Sequence, residues 1–186
     1  MIRKYQPQDL EHIMKIWLET NLAAHGFIPA EYWNEQYEAV KEALPQADIL
    51  IYEEEGTVLG FLGLQDSYIA GLFVEKASRS RGIGRLLLEA AKSGRQELTL
   101  HAYAENTGAV RFYEREGFQT AAFEKEETTG REGVLMRWTR EEEKKDAAVA
   151  DFEEVKNSIR NQLLQQIQNK VYSDKVKELR EKYVQE

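Results

Sequence analysis

The sequence predicts an α/β (α+β) fold, a mixed central sheet flanked by helices, with a helical extension at its C-terminal end. Three observations predict it. Over residues 1–140 the apolar residues alternate between strand-like runs and spacings of three to four, so strands and amphipathic helices follow one another. An arginine- and glycine-rich turn, Arg79-Ser80-Arg81-Gly82-Ile83-Gly84, joins a strand to a helix. From Glu141 onward glycine and proline disappear and charges alternate with a hydrophobic stripe.

The elements follow in order. Residues 1–6 read as a first strand, and Leu10, Ile13, Met14, Trp17 and Leu18 mark one face of a helix. A second helix carries Tyr32, Trp33, Tyr37, Val40 and Leu44 and stops near Pro45. Ile49–Tyr52 and Val58–Leu62 flank the turn Glu55-Gly56 as a hairpin, and Tyr68–Val74 is the next strand. The following helix places Ile83, Leu86, Leu87, Ala90 and Ala91 on its apolar face and ends at Ser93-Gly94. Leu98–Tyr103 is a strand, a helix opens at Asn106, and Phe118–Phe123 with Val134–Trp138 form a closing antiparallel pair. The expected order is β-α-α-β-β-β-α-β-α-β-β.

At 186 residues the chain suffices for one well-buried domain and an addition to it. No stretch approaches the roughly 18 apolar residues of a membrane span, and Met1–Tyr5 lacks a signal peptide's apolar run. A cytoplasmic protein without a membrane partner is expected. The absence of cysteine excludes disulfides, a thiolate zinc site and a cysteine acyl-enzyme, and no metal is expected. A formal charge of −8 argues against nucleic acid as a partner and suits a cationic one such as an amine.

Two helix starts carry the chemistry. The turn from Arg79 delivers unpaired first-turn amides, a helix dipole and three arginines (Arg79, Arg81, Arg85) to one place, which together favour a diphosphate. Gly82 and Gly84 allow close approach of the backbone. The spacing excludes two familiar phosphate loops. A dinucleotide fingerprint needs glycine where Leu87 stands, and a P-loop needs Lys-Ser or Lys-Thr where Arg85-Leu86 stands. The second start is Asn106-Thr107-Gly108-Ala109-Val110-Arg111-Phe112-Tyr113, closing on Gly117-Phe118.

This pair of motifs, Arg-x-x-Gly-x-Gly after a strand and Asn-x-x-Ala-x-x-Phe-Tyr with Gly-Phe shortly after, resembles the GNAT superfamily of N-acetyltransferases over residues 1–140. Further, His25-Gly26-Phe27-Ile28 with Tyr32-Trp33 is similar to a segment of its bacterial YiaC/YjaB-type members. The resemblance implies a splayed sheet and acetyl-CoA as co-substrate, held by the backbone of Leu72, Phe73 and Val74 along the pantetheine arm. The turn Arg79, Ser80, Arg81, Gly82, Ile83, Gly84 and Arg85 would hold the diphosphate, with Asn106 also touching the arm. It implies transfer of an acetyl group to a primary amine, on a small molecule or a protein, by direct attack in a ternary complex. One amide of the strand would hold the developing oxyanion.

Tyr113 matches the position that commonly protonates the departing thiolate. It would equally serve as a core tyrosine, and Asn106 as a plain helix cap. Where some members place a glutamate base, this chain has His101, a departure that remains chemically sensible because histidine exchanges protons near neutrality. Ordered water and a purely structural histidine are the alternatives. His25, Tyr32 and Trp33 are candidate acceptor contacts, with plain aromatic packing as the competing role.

The division is therefore a transferase domain at residues 1–140 and an amphipathic extension at residues 141–186. In the extension Phe152, Val155, Ile159, Leu163, Ile167 and Val171 repeat at helical spacing, so its stripe packs on its own domain or on a second subunit, giving a homodimer. Residues 152–183 are also weakly similar to the last helix of parvulin-type foldases. The rest of that domain is missing, so isomerase activity is not expected. The rival reading is a silent acetyl-CoA sensor or interaction module that uses the extension as its surface.

Overall fold

Pro7 ends the first strand early, because a residue without an N–H cannot continue a ladder. In the computed structural model, which describes residues 1–140, β1 is Ile2–Lys4, and Tyr5 adds one further bond, N–H to the Ile49 carbonyl at 3.1 Å. Arg3 then fastens β1 to the next element. Its guanidinium donates two bonds to Asp9 (2.7 and 2.9 Å) and one to Glu53 (2.6 Å), and Asp9 also accepts the Gln6 N–H at 2.8 Å. These bonds hold the Asp9 carboxyl below its ordinary pKa despite its burial.

Helix α1 (Leu10–Ala24) buries Ile13, Met14, Ile16 and Trp17, and α2 (Ala30–Ala43) buries Trp33 beside them. The sheet follows as β2 (Asp48–Glu54), β3 (Thr57–Gln65) and β4 (Tyr68–Val74). After α3 (Ile83–Lys92) come β5 (Glu97–Tyr103), α4 (Thr107–Arg115), β6 (Gln119–Lys125) and β7 (Glu132–Thr139). The order is the one the sequence predicts.

Among the described residues the seven strands form one sheet in the order β1-β2-β3-β4-β5-β7-β6, antiparallel except between β4 and β5. One core lies between the sheet and α3 with α4, around Leu62, Leu64, Leu98 and Leu100. The other lies between the sheet and α1 with α2, around Ile49, Ile51 and Phe61. β3 runs through the middle, buried from Val58 to Leu64, as a strand covered on both faces must be.

The parallel join is the weak point. β4 and β5 meet only at Tyr68↔Thr99 and Ile69↔Leu100. On the other side of β4, Ile69 pairs with Leu64 and Gly71 with Gly63, so Ala70 is an extra residue, a β-bulge that re-aims the strand. Beyond it β4 stays on β3 and leaves β5, and the sheet splays.

Helix α3 is rotated from its expected setting. Ile83, Leu87, Leu88 and Ala91 are buried and Ala90 packs at the margin, but Leu86 is 43% exposed. The buried stripe runs at i, i+4, i+5 and i+8, leaving position i+3 on the solvent side. The tail helix, its dimer contact and its foldase-like stretch fall on residues 141–186, outside the described residues.

This packing sets a stability contrast. Leu88→Ala should cost about 2–5 kcal/mol in urea unfolding, the range for deleting a fully buried leucine. Leu86→Ala should change it by no more than about 0.5 kcal/mol. Equal costs would contradict the observed rotation of α3.

Candidate active site

The splay opens a cavity of about 490 Å³. It is lined from the first core by Ala109 and Tyr113 of α4, and from the second by Trp17 and Trp33, with the buried polar Asn21 of α1. A hole between separating strands is what joins the two faces of the sheet. Leu72 and Phe73 line it where β4 has lost its β5 partner, and Phe73 stacks on Phe61 at 4.9 Å. The β5-facing backbone edge of β4 past Ile69 has no strand beside it. Val74 ends the strand, and its carbonyl accepts Arg79 Nε–H at 3.3 Å.

The expected diphosphate turn starts α3 without a side-chain cap. Gly82 is its N-cap at φ +80°, a left-handed conformation that favours glycine, with open space where a Cβ would stand. Ser80 also lies in the left-handed region, at φ +62°. The first helical bond runs from Leu86 N–H to the Gly82 carbonyl at 3.0 Å, so the amides of Ile83, Gly84 and Arg85 lack acceptors inside the helix. Gly84 has a different requirement. A Cβ there would come within 3.1 Å of Phe112 and 3.5 Å of Leu72, so this glycine lets α3 pack on α4 and β4. Two of the three arginines hold carboxylates, Arg81 on Glu54 at 2.7 Å and Arg85 on Glu89 at 2.8 Å.

Asn106 caps α4, its Oδ1 accepting the Ala109 N–H at 3.2 Å. With the oxygen so used, the amide nitrogen faces His25 Nε2 at 3.2 Å. An amide NH₂ only donates, so Nε2 accepts and the neutral ring carries its proton on Nδ1. His25 stacks on Trp33 at 5.2 Å and meets the edges of Phe27 and Tyr103. Burial lowers its pKa, and the Asn21 carbonyl, which already accepts the His25 backbone N–H at 2.9 Å, offsets only part of the effect. His25 Nδ1 and Trp33 Nε1 are buried without hydrogen-bond partners among the described residues.

Of the other predicted site residues, Tyr113 lies beneath the splay, 8% exposed, and its hydroxyl makes no hydrogen bond among the described residues. Burial, with Tyr68 nearby as a lesser cause, pushes its pKa well above that of an ordinary phenol. His101 lies across the cavity, with Nδ1 at 3.3 Å from the Tyr68 hydroxyl and Nε2 at 3.1 Å from a Glu124 oxygen. His25 and Trp33 line the cavity, but Tyr32 does not. Its hydroxyl turns outward to Thr128 Oγ1 at 3.3 Å.

Several cavity residues escaped sequence reasoning. Asn21 is only 3% exposed and donates Nδ2–H to the Trp17 carbonyl at 3.0 Å, and among the described residues its oxygen has no donor. The spacing Trp17, Asn21, His25, four residues apart each time, was the available signal for one helix stripe. Tyr68 and Glu124 meet His101 only through sheet pairing. Glu126 also lines the cavity, but the backbone and hydroxyls of Thr128 and Thr129 hold its carboxylate down to about 2, which unfits it as a base at neutral pH.

The electrostatics of His25 can be measured. Its pKa by NMR should fall below 6.5, and because protonation then opposes folding, stability should drop as pH falls through 6.5. A value at or above 6.5 would contradict the half-buried, Asn106-bonded neutral ring.

Residues 5–140 match the family model described as an acetyltransferase (GNAT) domain. The chain is 32% identical over 140 residues to the peptidyl-lysine N-acetyltransferase YiaC of Escherichia coli, covering 74% of this chain and 96% of YiaC. It is 31% identical to the peptidyl-lysine N-acetyltransferase YjaB of Escherichia coli over 73% of this chain and 92% of YjaB. The solution structure of apo YjaB matches with a TM-score of 0.68 at 28% identity, covering 74% of this chain and 96% of that one. The structure of YncA from Salmonella typhimurium with its cofactor acetyl-CoA shares the fold at a TM-score of 0.54 and 20% identity, over 75% of this chain and 92% of YncA. With the matched domain filling the described fold and two relatives above 30% identity matched over more than nine-tenths of their length, the chain belongs to the GNAT family of acetyltransferases.

Proposed function

We propose that this acetyltransferase moves the acetyl group of acetyl-CoA to the side-chain amine of a peptidyl lysine, by direct attack with both substrates bound together. The observation that carries the reading is an unpartnered strand edge and a tyrosine hydroxyl without a hydrogen bond among the described residues on one cleft, with the uncapped start of α3 packed against that strand where Gly84 meets Leu72. The residues fit the donor. The amides of Ile83, Gly84 and Arg85 and the open side of Gly82 suit a diphosphate, and the free edge of β4 over Leu72–Val74 suits the amides of a pantetheine arm. Asn106 borders the same cleft.

Acetyl-CoA supplies the activated acyl group. On the acceptor side, Trp17, Trp33 and Phe73 give an aliphatic amine apolar walls, and Glu124 offers negative charge to its ammonium end. The names of YiaC and YjaB support lysine as the acceptor. His101 is the base that ends up holding the charge of the proton the amine must lose before its lone pair can attack. An amide of β4 holds the developing oxyanion. Tyr113, kept protonated by burial, donates to the departing sulfur, an ordinary thiol of pKa about 8.5 that needs no strong acid. In this reading residues 1–140 are the transferase and residues 141–186 an extension of it.

A free-thiol assay with lysine peptides should show CoA release by the full chain. Tyr113→Phe should lower kcat by about tenfold or more while acetyl-CoA Kd by calorimetry changes by less than about twofold. Acetyl-CoA binding without CoA release from any amine would make the chain a sensor. Full turnover by Tyr113→Phe would remove the acid role.

A further inference from the structure

Three strands bring Tyr68, His101 and Glu124 into one line of hydrogen bonds, and the chemistry of its ends fixes its direction. Glu124 as a carboxylate only accepts, so His101 Nε2 carries the hydrogen across the 3.1 Å contact. The neutral ring then has its lone pair on Nδ1, and the Tyr68 hydroxyl donates to it across 3.3 Å. The Tyr68 oxygen is left with acceptor capacity, and Tyr68 lines the cavity that also holds Tyr113. His101 and Glu124 stand nearer solvent, with side chains 42% and 54% exposed.

Resting on the acyl-transfer reading above, we propose that Tyr68 is the group that takes the proton from the acceptor ammonium. His101 receives Tyr68's own proton, and Glu124 is a positioning residue that fixes the histidine tautomer. The step balances. An N–H bond of the ammonium breaks toward Tyr68 Oη as the Tyr68 O–H bond breaks toward His101 Nδ1. The amine is left with a free lone pair, Tyr68 is neutral again, and the imidazolium lies against Glu124 until water takes its extra proton. Burial raises the Tyr68 pKa, so the phenol acts as a conduit that never rests as a phenolate.

The sheet builds this relay. Tyr68 is paired with Thr99 just before the Ala70 bulge, while His101 lies two residues further along β5, on the face that Thr99 shares. Tyr68 therefore stays level with the end of the cleft as β4 veers off. On β7, Leu135 lies opposite His101, and Arg137, two residues further on the same face, leans toward Glu97 at 3.9 Å. The other ionisable groups of the cavity are Tyr103, Tyr113, His25, Lys125 and the threonine-bound Glu126, none of which makes a hydrogen bond to His101.

The test uses the full chain, lysine peptide and acetyl-CoA. Tyr68→Phe and His101→Ala should each lower kcat by about tenfold or more with acetyl-CoA Kd unchanged, and the double variant should be no slower than the slower single one. In ¹⁵N NMR of the wild type His101 should show the Nε2–H tautomer, and Glu124→Ala should mix the two tautomers. Wild-type turnover by Tyr68→Phe, losses that multiply in the double variant, or an Nδ1–H tautomer in the wild type would each overturn the relay. Absence of CoA release by the wild type would instead remove the acyl-transfer reading on which it rests.

Discussion

The structure depends on how little holds β4 to β5. Two residue pairs tie them, and the Ala70 bulge then turns β4 away while β3 keeps its hold on it. A sheet interior with unpaired backbone is costly unless something satisfies those groups. Here the cost is met beside a cavity, so the unpaired edge of β4 is available to a ligand that brings its own amides. The same gap lets a tyrosine from one core and a tryptophan from the other, with the buried asparagine of α1, face a single space. Continuous pairing of β4 with β5 would separate those side chains by a closed sheet.

The element order was legible in the sequence because each switch of apolar spacing carries its own stop signal. Pro7, Pro45, Glu55-Gly56 and Ser93-Gly94 all fall at or within a few residues of element ends. The rotation of α3 was less legible, since the leucine run Leu86-Leu87-Leu88 offers three neighbouring faces and only packing on the sheet selects among them. At the site, motifs pointed to the Arg79 turn and Asn106 at helix starts and to Tyr113 in the last turn of α4. His101 was legible as a departure from the family pattern, but its partners Tyr68 and Glu124 were not, because they lie 33 and 23 residues away and come to it only when the sheet pairs. Tyr32 and Trp33 illustrate the limit of a segment match. They are adjacent on α2 and their rings meet edge to face at 5.1 Å, yet only Trp33 reaches the cavity.

Charge distributes less simply than a count of arginines suggests. In a chain of formal charge −8, Arg81 and Arg85 lean on Glu54 and Glu89, all four side chains being at least 41% exposed. Such pairs are worth about 0–1 kcal/mol and rearrange easily. The fixed attraction at the start of α3 therefore rests on its uncapped amides and dipole, which need no rearrangement. On the other side of the cleft, Glu126 is committed to Thr128 and Thr129, whereas Glu124 remains exposed with His101 as its neighbour.

The central claim is that the gap between β4 and β5 receives the thioester with its diphosphate on the start of α3. Amide-resolved NMR of the full chain titrated with acetyl-CoA tests it most directly. The account predicts shifts concentrated on the amides of Gly71–Val74 and Gly82–Arg85, with the β1 and β2 amides unmoved. Saturable shifts confined to other elements, with those two segments unchanged, would contradict it.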